Sequence, residues 1–281
     1  MIIDTLLENN LFEQAEGLKT AHGLSLHLNC EDGRAILFDA GPDDKFISNA
    51  QQLGIDLRQV VFAVLSHAHN DHGGGLASFL ALNPVAPVYL HRMAKTELYA
   101  RGPEGDRKIS LDESIFNKYT SRFRWCDHFT EVSPGAFILT EIGQQFSRPL
   151  GNQSLYKKEN DQLVPDTFDH ELVFVLREED GLVVFTGCSH HGILNMVDAV
   201  LNAFPAERVK AVIGGFHLYN PTTKETPESP AEIERIGHEL LERKVERYYT
   251  GHCTGNKSFD ILKSVMGERL VAIATGSRIT V

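Results

Sequence analysis

Cysteine is scarce and scattered, with four residues in 281, at positions 30, 126, 188 and 253, and no Cys-x-x-Cys pair. That excludes a disulfide scaffold and leaves Cys30, Cys126 and Cys253 as packing residues. No apolar run nears the roughly 20 residues that cross a bilayer; the longest are short, such as Val60 to Leu65. Nor does the start of the chain hold the apolar core of an export signal, because Glu8, Asn9, Asn10, Glu13 and Glu16 interrupt it. A cytoplasmic protein without a membrane partner is expected. Positive charge is also short. The 27 Lys and Arg against 38 Asp and Glu leave a net charge of −11, which speaks against nucleic acid as the main partner.

What remains is ordinary for a globular chain, 42% hydrophobic and 23% charged, except for thirteen histidines. Short β-branched runs alternate with segments of helical period. Strands are expected at Ala35 to Asp39, Val60 to Leu65, Pro87 to Leu90, Leu172 to Leu176, Leu182 to Thr186, Val209 to Ile213, Arg247 to Thr250 and Leu270 to Ala274. Helices are expected around Phe46 to Leu53, Leu76 to Leu80 and Ile193 to Phe204, and after the capping box Ser229-Pro230-Ala231-Glu232. Two such halves imply sheets packed face to face with helices outside, an α+β arrangement of four layers, αββα, in one domain spanning 1–281. Residues 92–134 and 143–170 are rich in charge, Gly and Pro, so 92–170 reads as an insertion that shapes a substrate pocket or lid.

Chemistry concentrates after the strand Val60 to Leu65, in Ser66-His67-Ala68-His69-Asn70-Asp71-His72-Gly73-Gly74. Side chains two apart on an extended segment point the same way, so His67 and His69 can share one cation. Asp71 and His72 follow where the chain turns and can face the same cavity from another side. Imidazole and carboxylate at this density suit Zn²⁺, with Mn²⁺ or Fe²⁺ as alternatives. More histidines follow strands in Gly-flanked turns: Thr186-Gly187-Cys188-Ser189-His190 and Thr250-Gly251-His252-Cys253-Thr254-Gly255.

The pattern His67, His69, Asp71, His72 resembles the HxHxDH hallmark of the metallo-β-lactamase-fold superfamily. Phe38-Asp39-Ala40-Gly41 and Tyr249-Thr250-Gly251-His252 are similar to its early Asp and late His motifs. Adding His22-Gly23-Leu24-Ser25, Ile213-Gly214-Gly215-Phe216-His217-Leu218 and the two turns above, the chain resembles the dihydropterin-ribofuranosylaminobenzene 5′-phosphate synthase-like branch. The resemblance implies that His67 and His69 bind a first ion, completed by His190, and that Asp71, His72 and His252 bind a second. It implies that Asp39 orients a ligand imidazole. In the place of a bridging Asp stands Cys188, either a thiolate ligand or a small buried residue, and no GHT-like motif precedes Gly187. Those departures imply a weak or missing second ion.

His217 follows Val209 to Ile213 and should open on the same rim, as a substrate contact or proton donor; His22 is a further candidate contact. Thr254 and Gly255 lead into a helix whose first amides could receive an anion. His27, His91, His128, His170, His191 and His238 have no comparable context and read as surface or core. Glu141 reads as exposed, with the pocket as the other possibility.

The first functional reading is a metal-dependent hydrolase of an ester, amide or phosphoester, with Asp71 and His217 moving protons. The second is a pterin transferase that displaces pyrophosphate, with Phe116, Tyr119, Phe123 and Trp125 either stacking on the heterocycle or packing in the core. The third is a sensor that binds metal without turnover. The partner is a small molecule, phosphorylated or pterin-like in two of these readings; the sequence carries no signal of oligomeric state.

Overall fold

A computed structural model describes all residues 1–281. Two seven-stranded sheets form its centre. The first runs in the order β18 (Arg278–Thr280), β1 (Ile2–Leu7), β2 (Ser25–Asn29), β3 (Ala35–Phe38), β4 (Val60–Val64), β5 (Val88–His91) and β8 (Phe123–Cys126). The second runs β17 (Leu270–Ala272), β16 (Val245–Thr250), β15 (Val209–Ile213), β14 (Gly181–Phe185), β13 (Val173–Glu178), β10 (Ala136–Leu139) and β9 (Thr130–Ser133).

The sheets meet through apolar side chains. Phe38, Phe62 and Val64 of the first face Phe174, Phe185 and Ile213 of the second, all at most 4% exposed. Fully burying such a side chain contributes roughly 1.5–3 kcal/mol, so this layer is a main source of cohesion. The outer faces carry the helices. Helix α1 (Lys45–Gln52) and helix α3 (Leu76–Leu82) send Phe46, Ala50, Leu76 and Phe79 onto the first sheet. Helices α5 (Ile193–Ala203), α6 (Pro230–Glu242) and α7 (Asn256–Met266) cover the second through Met196, Val197, Val200, Ile233, Leu240 and Leu262. Ser229 caps α6 as its sequence suggests, its Oγ accepting from Glu232 N at 3.2 Å. The αββα sandwich is therefore realised, and no helix is long and apolar enough to cross a membrane.

Each sheet joins an antiparallel half to a parallel half. β3, β4, β5 and β8 run parallel, as do β14, β15, β16 and β17. Parallel neighbours need crossovers, which α1, α3, α5, α6 and α7 supply. The carboxyl ends of β3, β4, β14, β15 and β16 deliver the functional turns.

Residues 92–170 divide three ways. β8, β9 and β10 complete the edges of the main sheets, because the buried apolar residues of β8 and β10 and the partly buried Val132 of β9 continue those layers. A four-stranded sheet, β12 (Gln162–Pro165), β11 (Leu155–Glu159), β6 (Leu98–Gly102) and β7 (Gly105–Lys108), stands apart from both. Its own apolar cluster is small, Ala100, Leu155 and Phe168 with Ile109 against them, which is why it reads as polar loop in the sequence. Strands β1 and β2 carry buried apolar residues that the sequence reading did not assign; β1 pairs with β18 and so joins the two ends of the chain.

Candidate metal centre

Two short turns set the geometry. After β4 the chain gives Ser66 and His67 and then enters helix α2 (Asn70–Gly73), capped by His69. Asp39, after β3, has φ +57°. Its carboxylate accepts from Ser66 N and Ser66 Oγ, both at 2.8 Å, and from His72 Nδ1 at 2.6 Å. Because Ser66 Oγ donates to Asp39, it accepts from His67 Nδ1, 2.9 Å away. One buried carboxylate thus fixes two imidazoles through their Nδ1 sides and turns their Nε2 atoms towards the other candidate ligands, His69 for His67 and Cys188 and His252 for His72, the orientation a cation ligand needs.

The structure brings His67, His69 and His190 together in one group, with ligand atoms within 4.8 Å of one another. Asp71, His72, Cys188 and His252 form a second group under the same limit. His72 Nε2 lies 3.1 Å from Cys188 Sγ and 3.2 Å from His252 Nε2, and Asp71 Oδ2 lies 3.3 Å from His252 Nε2. Asn152 holds His190 through Nδ1 at 2.9 Å, and Asn9 holds His252 through Nδ1 at 2.8 Å. His69 Nε2 and His190 Nε2 are buried without any hydrogen-bond partner. An orphaned buried polar atom costs about 1–3 kcal/mol, and two such imidazole nitrogens in one cluster of donors fit a divalent cation.

Electrostatics separate the two groups. Burial and the neighbouring imidazoles push His67 and His190 well below the usual histidine value, and His69 to about 3. These rings are neutral, the form that ligates. Burial would also depress His72, but the Asp39 and Asp71 carboxylates outweigh it and lift His72 to about 9. Burial raises the Cys188 thiol well above its ordinary range. A cation entering the second group therefore displaces protons from His72 and Cys188.

The backbone is strained here. Asp39, Ser189, His217 and His252 all have left-handed φ, between +50° and +61°, each following a parallel strand. Such residues cost about 1–3 kcal/mol apiece and persist where the surroundings fix them. Close approach is also required: a Cβ at Gly187 would sit 2.2 Å from Ser66 Oγ and 2.7 Å from His67 Nδ1.

Residues 28–199 match the model of the metallo-beta-lactamase superfamily. The chain belongs to that superfamily. The 7,8-dihydropterin-6-methyl-4-(beta-D-ribofuranosyl)-aminobenzene-5′-phosphate synthase of Methanocaldococcus jannaschii is 30% identical over 249 residues, 84% of this chain and 82% of that protein. The crystal structure of Tm1679, a metal-dependent hydrolase of the beta-lactamase superfamily, superposes with a TM-score of 0.83 at 31% identity, covering 100% of this chain and 99% of that one. Zn²⁺-bound PqqB from Methylobacterium extorquens shares the fold, with a TM-score of 0.58 at 10% identity over the full length of both chains.

In this metallo-beta-lactamase chain a cavity of about 90 Å³ opens over the centre, well below the roughly 300–1,000 Å³ of sites that enclose drug-sized ligands. His22, His217, Asn220 and Thr222 line it, and Ala100, Arg107 and Leu155 of the four-stranded sheet form a wall. His22 Nε2 lies 3.4 Å from Asp71 Oδ2. No Phe, Tyr or Trp lines the cavity. Phe116, Tyr119, Phe123 and Trp125 pack instead on the outer side of the first sheet, and Glu141 lies by a separate surface hollow. Thr254 and Gly255 also lie outside the cavity lining. The Thr254 hydroxyl accepts from Phe216 N at 2.9 Å, bracing two turns, and a Cβ at Gly255 would meet Tyr219 at 2.6 Å.

Several contributors had no signal in the sequence. Asn9 is 243 residues from the His252 it holds, and Glu8 accepts from His252 N. His170 accepts from Ala68 N at 3.2 Å and pairs with Asp166 at 3.1 Å beside His69. Glu171 accepts from the amides of His190 and His191 at 2.7 and 2.9 Å, fixing that turn. A polar residue followed by a His or flanking a strand end was the one available cue, and it is too common to select these.

Proposed function

We propose that this protein is a metal-dependent hydrolase that acts on an ester, amide or phosphoester of a small molecule. The observation that carries the reading is the pair of adjoining donor groups, with His69, His190, Asp71 and Cys188 on the wall of one cavity and the buried Nε2 atoms of His69 and His190 without a hydrogen-bond partner. His67, His69 and His190 would hold one ion; Asp71, His72, Cys188 and His252 would hold another. Zn²⁺ suits a set of imidazole, carboxylate and thiolate. When bound, the ion lowers the pKa of water towards 7 and offsets the negative charge that develops on the substrate oxygen.

The chain's own residues do the rest. Asp71, held as a carboxylate by His72, His22 and His252 despite burial, would serve as a ligand of the second ion, and without that ion it orients water as a hydrogen-bond acceptor. His217, facing the cavity, gives a proton to the leaving group. His22, through Asp71, positions the carboxylate. The small cavity admits the reacting group, while the larger part of the substrate extends past Arg107, whose guanidinium suits an anionic substituent. Four unpaired cysteines suit a reducing compartment, the cytoplasm.

A second reading is favoured by the Methanocaldococcus relative: transfer of a pterin group to an aminobenzene, which displaces the pyrophosphate carried by the pterin, at the same centre. The likeness to Tm1679, a metal-dependent hydrolase, over the full length of the chain supports putting hydrolysis first. A panel of phosphoesters and lactones, run beside a pterin diphosphate with an aminobenzene riboside phosphate, separates the two. Water-derived product from the panel supports hydrolysis; condensation product alone overturns it in favour of transfer.

A further inference from the structure

We propose that the centre contains a third cation position for a soft divalent ion, formed by Cys188, His190 and His217, which borrows one ligand from each of the two groups above. The proposal rests on the metal-centre reading and adds a position to it. Ligand atoms of these three residues lie within 4.8 Å of one another. His217 is 5% exposed, and neither of its ring nitrogens has a partner in good hydrogen-bond geometry, the Cys253 thiol being its polar neighbour. Its ring centroid lies 4.2 Å from that of His190, and its backbone is held at φ +50°. A side chain that gives up two hydrogen bonds and sits on a strained backbone requires a partner of another kind. A cation bonded at about 2.0–2.3 Å would supply that partner to one of the two nitrogens.

Sharing of ligands gives the position its meaning. His190 Nδ1 is committed to Asn152, so only Nε2 is available and it serves one ion at a time. An ion at the third position therefore withdraws His190 from the first group, and at most two ions are bound in all. Cys188 belongs to the second group as well, and its thiolate can bridge. Two imidazoles and a thiolate select softer ions than the three imidazoles of the first group. With an ion there His217 is a ligand and cannot give up a proton, so occupancy of the third position is an inactive alternative to occupancy of the first group.

Equilibrium dialysis against Zn²⁺ with elemental analysis tests the proposal on the full chain. Wild type is expected to hold two ions. A His67→Ala/His69→Ala variant, its fold checked by circular dichroism, is expected to hold two still, and adding His217→Ala to lower the count to one. A double variant that holds one ion, with no further loss on removing His217, overturns the third position and leaves the main centre intact. Wild type that binds no ion overturns both. Should the variants fail to fold, anomalous diffraction from wild-type crystals soaked in Cd²⁺ decides. A peak bonded to Cys188 and His217 supports the position, and peaks at the first two groups alone refute it.

Discussion

At the scale of the residue, the centre depends on imidazoles aimed by partners that are not themselves ligands. Asp39 aims His72 directly and His67 through Ser66; Asn152 and Asn9 aim His190 and His252. Removing a ligand and removing its orienter should therefore differ in degree. His69→Ala is expected to abolish the ion of the first group and lower turnover at least 100-fold, with the circular dichroism spectrum unchanged, because the side chain lies at a strand end and adds little to the apolar core. Asn9→Ala leaves every ligand in place and should weaken ion affinity about 10–100-fold, measured by competition with a chelating dye. An unchanged affinity in Asn9→Ala would mean that the 2.8 Å contact to His252 has no orienting role.

At the scale of the element, the parallel strands end together, and glycine lets their turns approach. Gly214 follows β15 with φ +153°, and a Cβ there would sit 2.1 Å from the Thr186 carbonyl oxygen. Both partners are backbone at the mouth of the sheet, so neither can yield cheaply. Gly214→Ala is expected to destabilise the fold by about 2–3 kcal/mol in urea unfolding and to displace the His217 turn.

The closure of the first sheet makes a pH prediction. Asp4 on β1 accepts from Arg278 on β18 at 2.6 Å, with His27 at 3.6 Å. Burial alone would raise its pKa, but His27 and Arg278 outweigh that and lower it below the ordinary carboxylate value. A carboxylate depressed in the folded state binds fewer protons there than when unfolded. Its stabilisation is thus complete above about pH 4 and is lost as pH falls through the folded value. Asp4→Asn should lower the melting temperature at pH 7 and lose least near pH 2; an equal loss at both pH values would exclude the ionic contribution.

At the scale of the whole molecule, much of the arrangement was legible because it is local. The HxHxDH segment, the Gly-flanked turns and the alternation of strand and helix are patterns within a few residues, and they led to two sheets with the ligands at strand ends. What could not be read depends on distant pairing. Strand β1 presents Ile2 to Leu7 without clean alternation, because it is buried on both faces, and its partner β18 is at the other end of the chain. The four-stranded sheet has too few apolar residues to announce itself, and Asn9 becomes significant only once the sheets close. The aromatic cluster around Phe116 illustrates the same limit: composition offered a platform for a heterocycle, and the register of β8 turned it to the helical side of the sheet.

Since both donor groups draw ligands from both sheets, cations should clamp the sandwich. Zn²⁺ at 100 times its dissociation constant would stabilise the fold by about 2.7 kcal/mol per site. Chelation is expected to lower the melting temperature, and added Zn²⁺ to restore it.

The most direct test of the central claim is anomalous diffraction at the zinc edge from crystals grown with Zn²⁺. The account predicts one peak bonded to His67, His69 and His190 and another bonded to Asp71, His72, Cys188 and His252. Saturating Zn²⁺ that leaves no anomalous density among these side chains would contradict it.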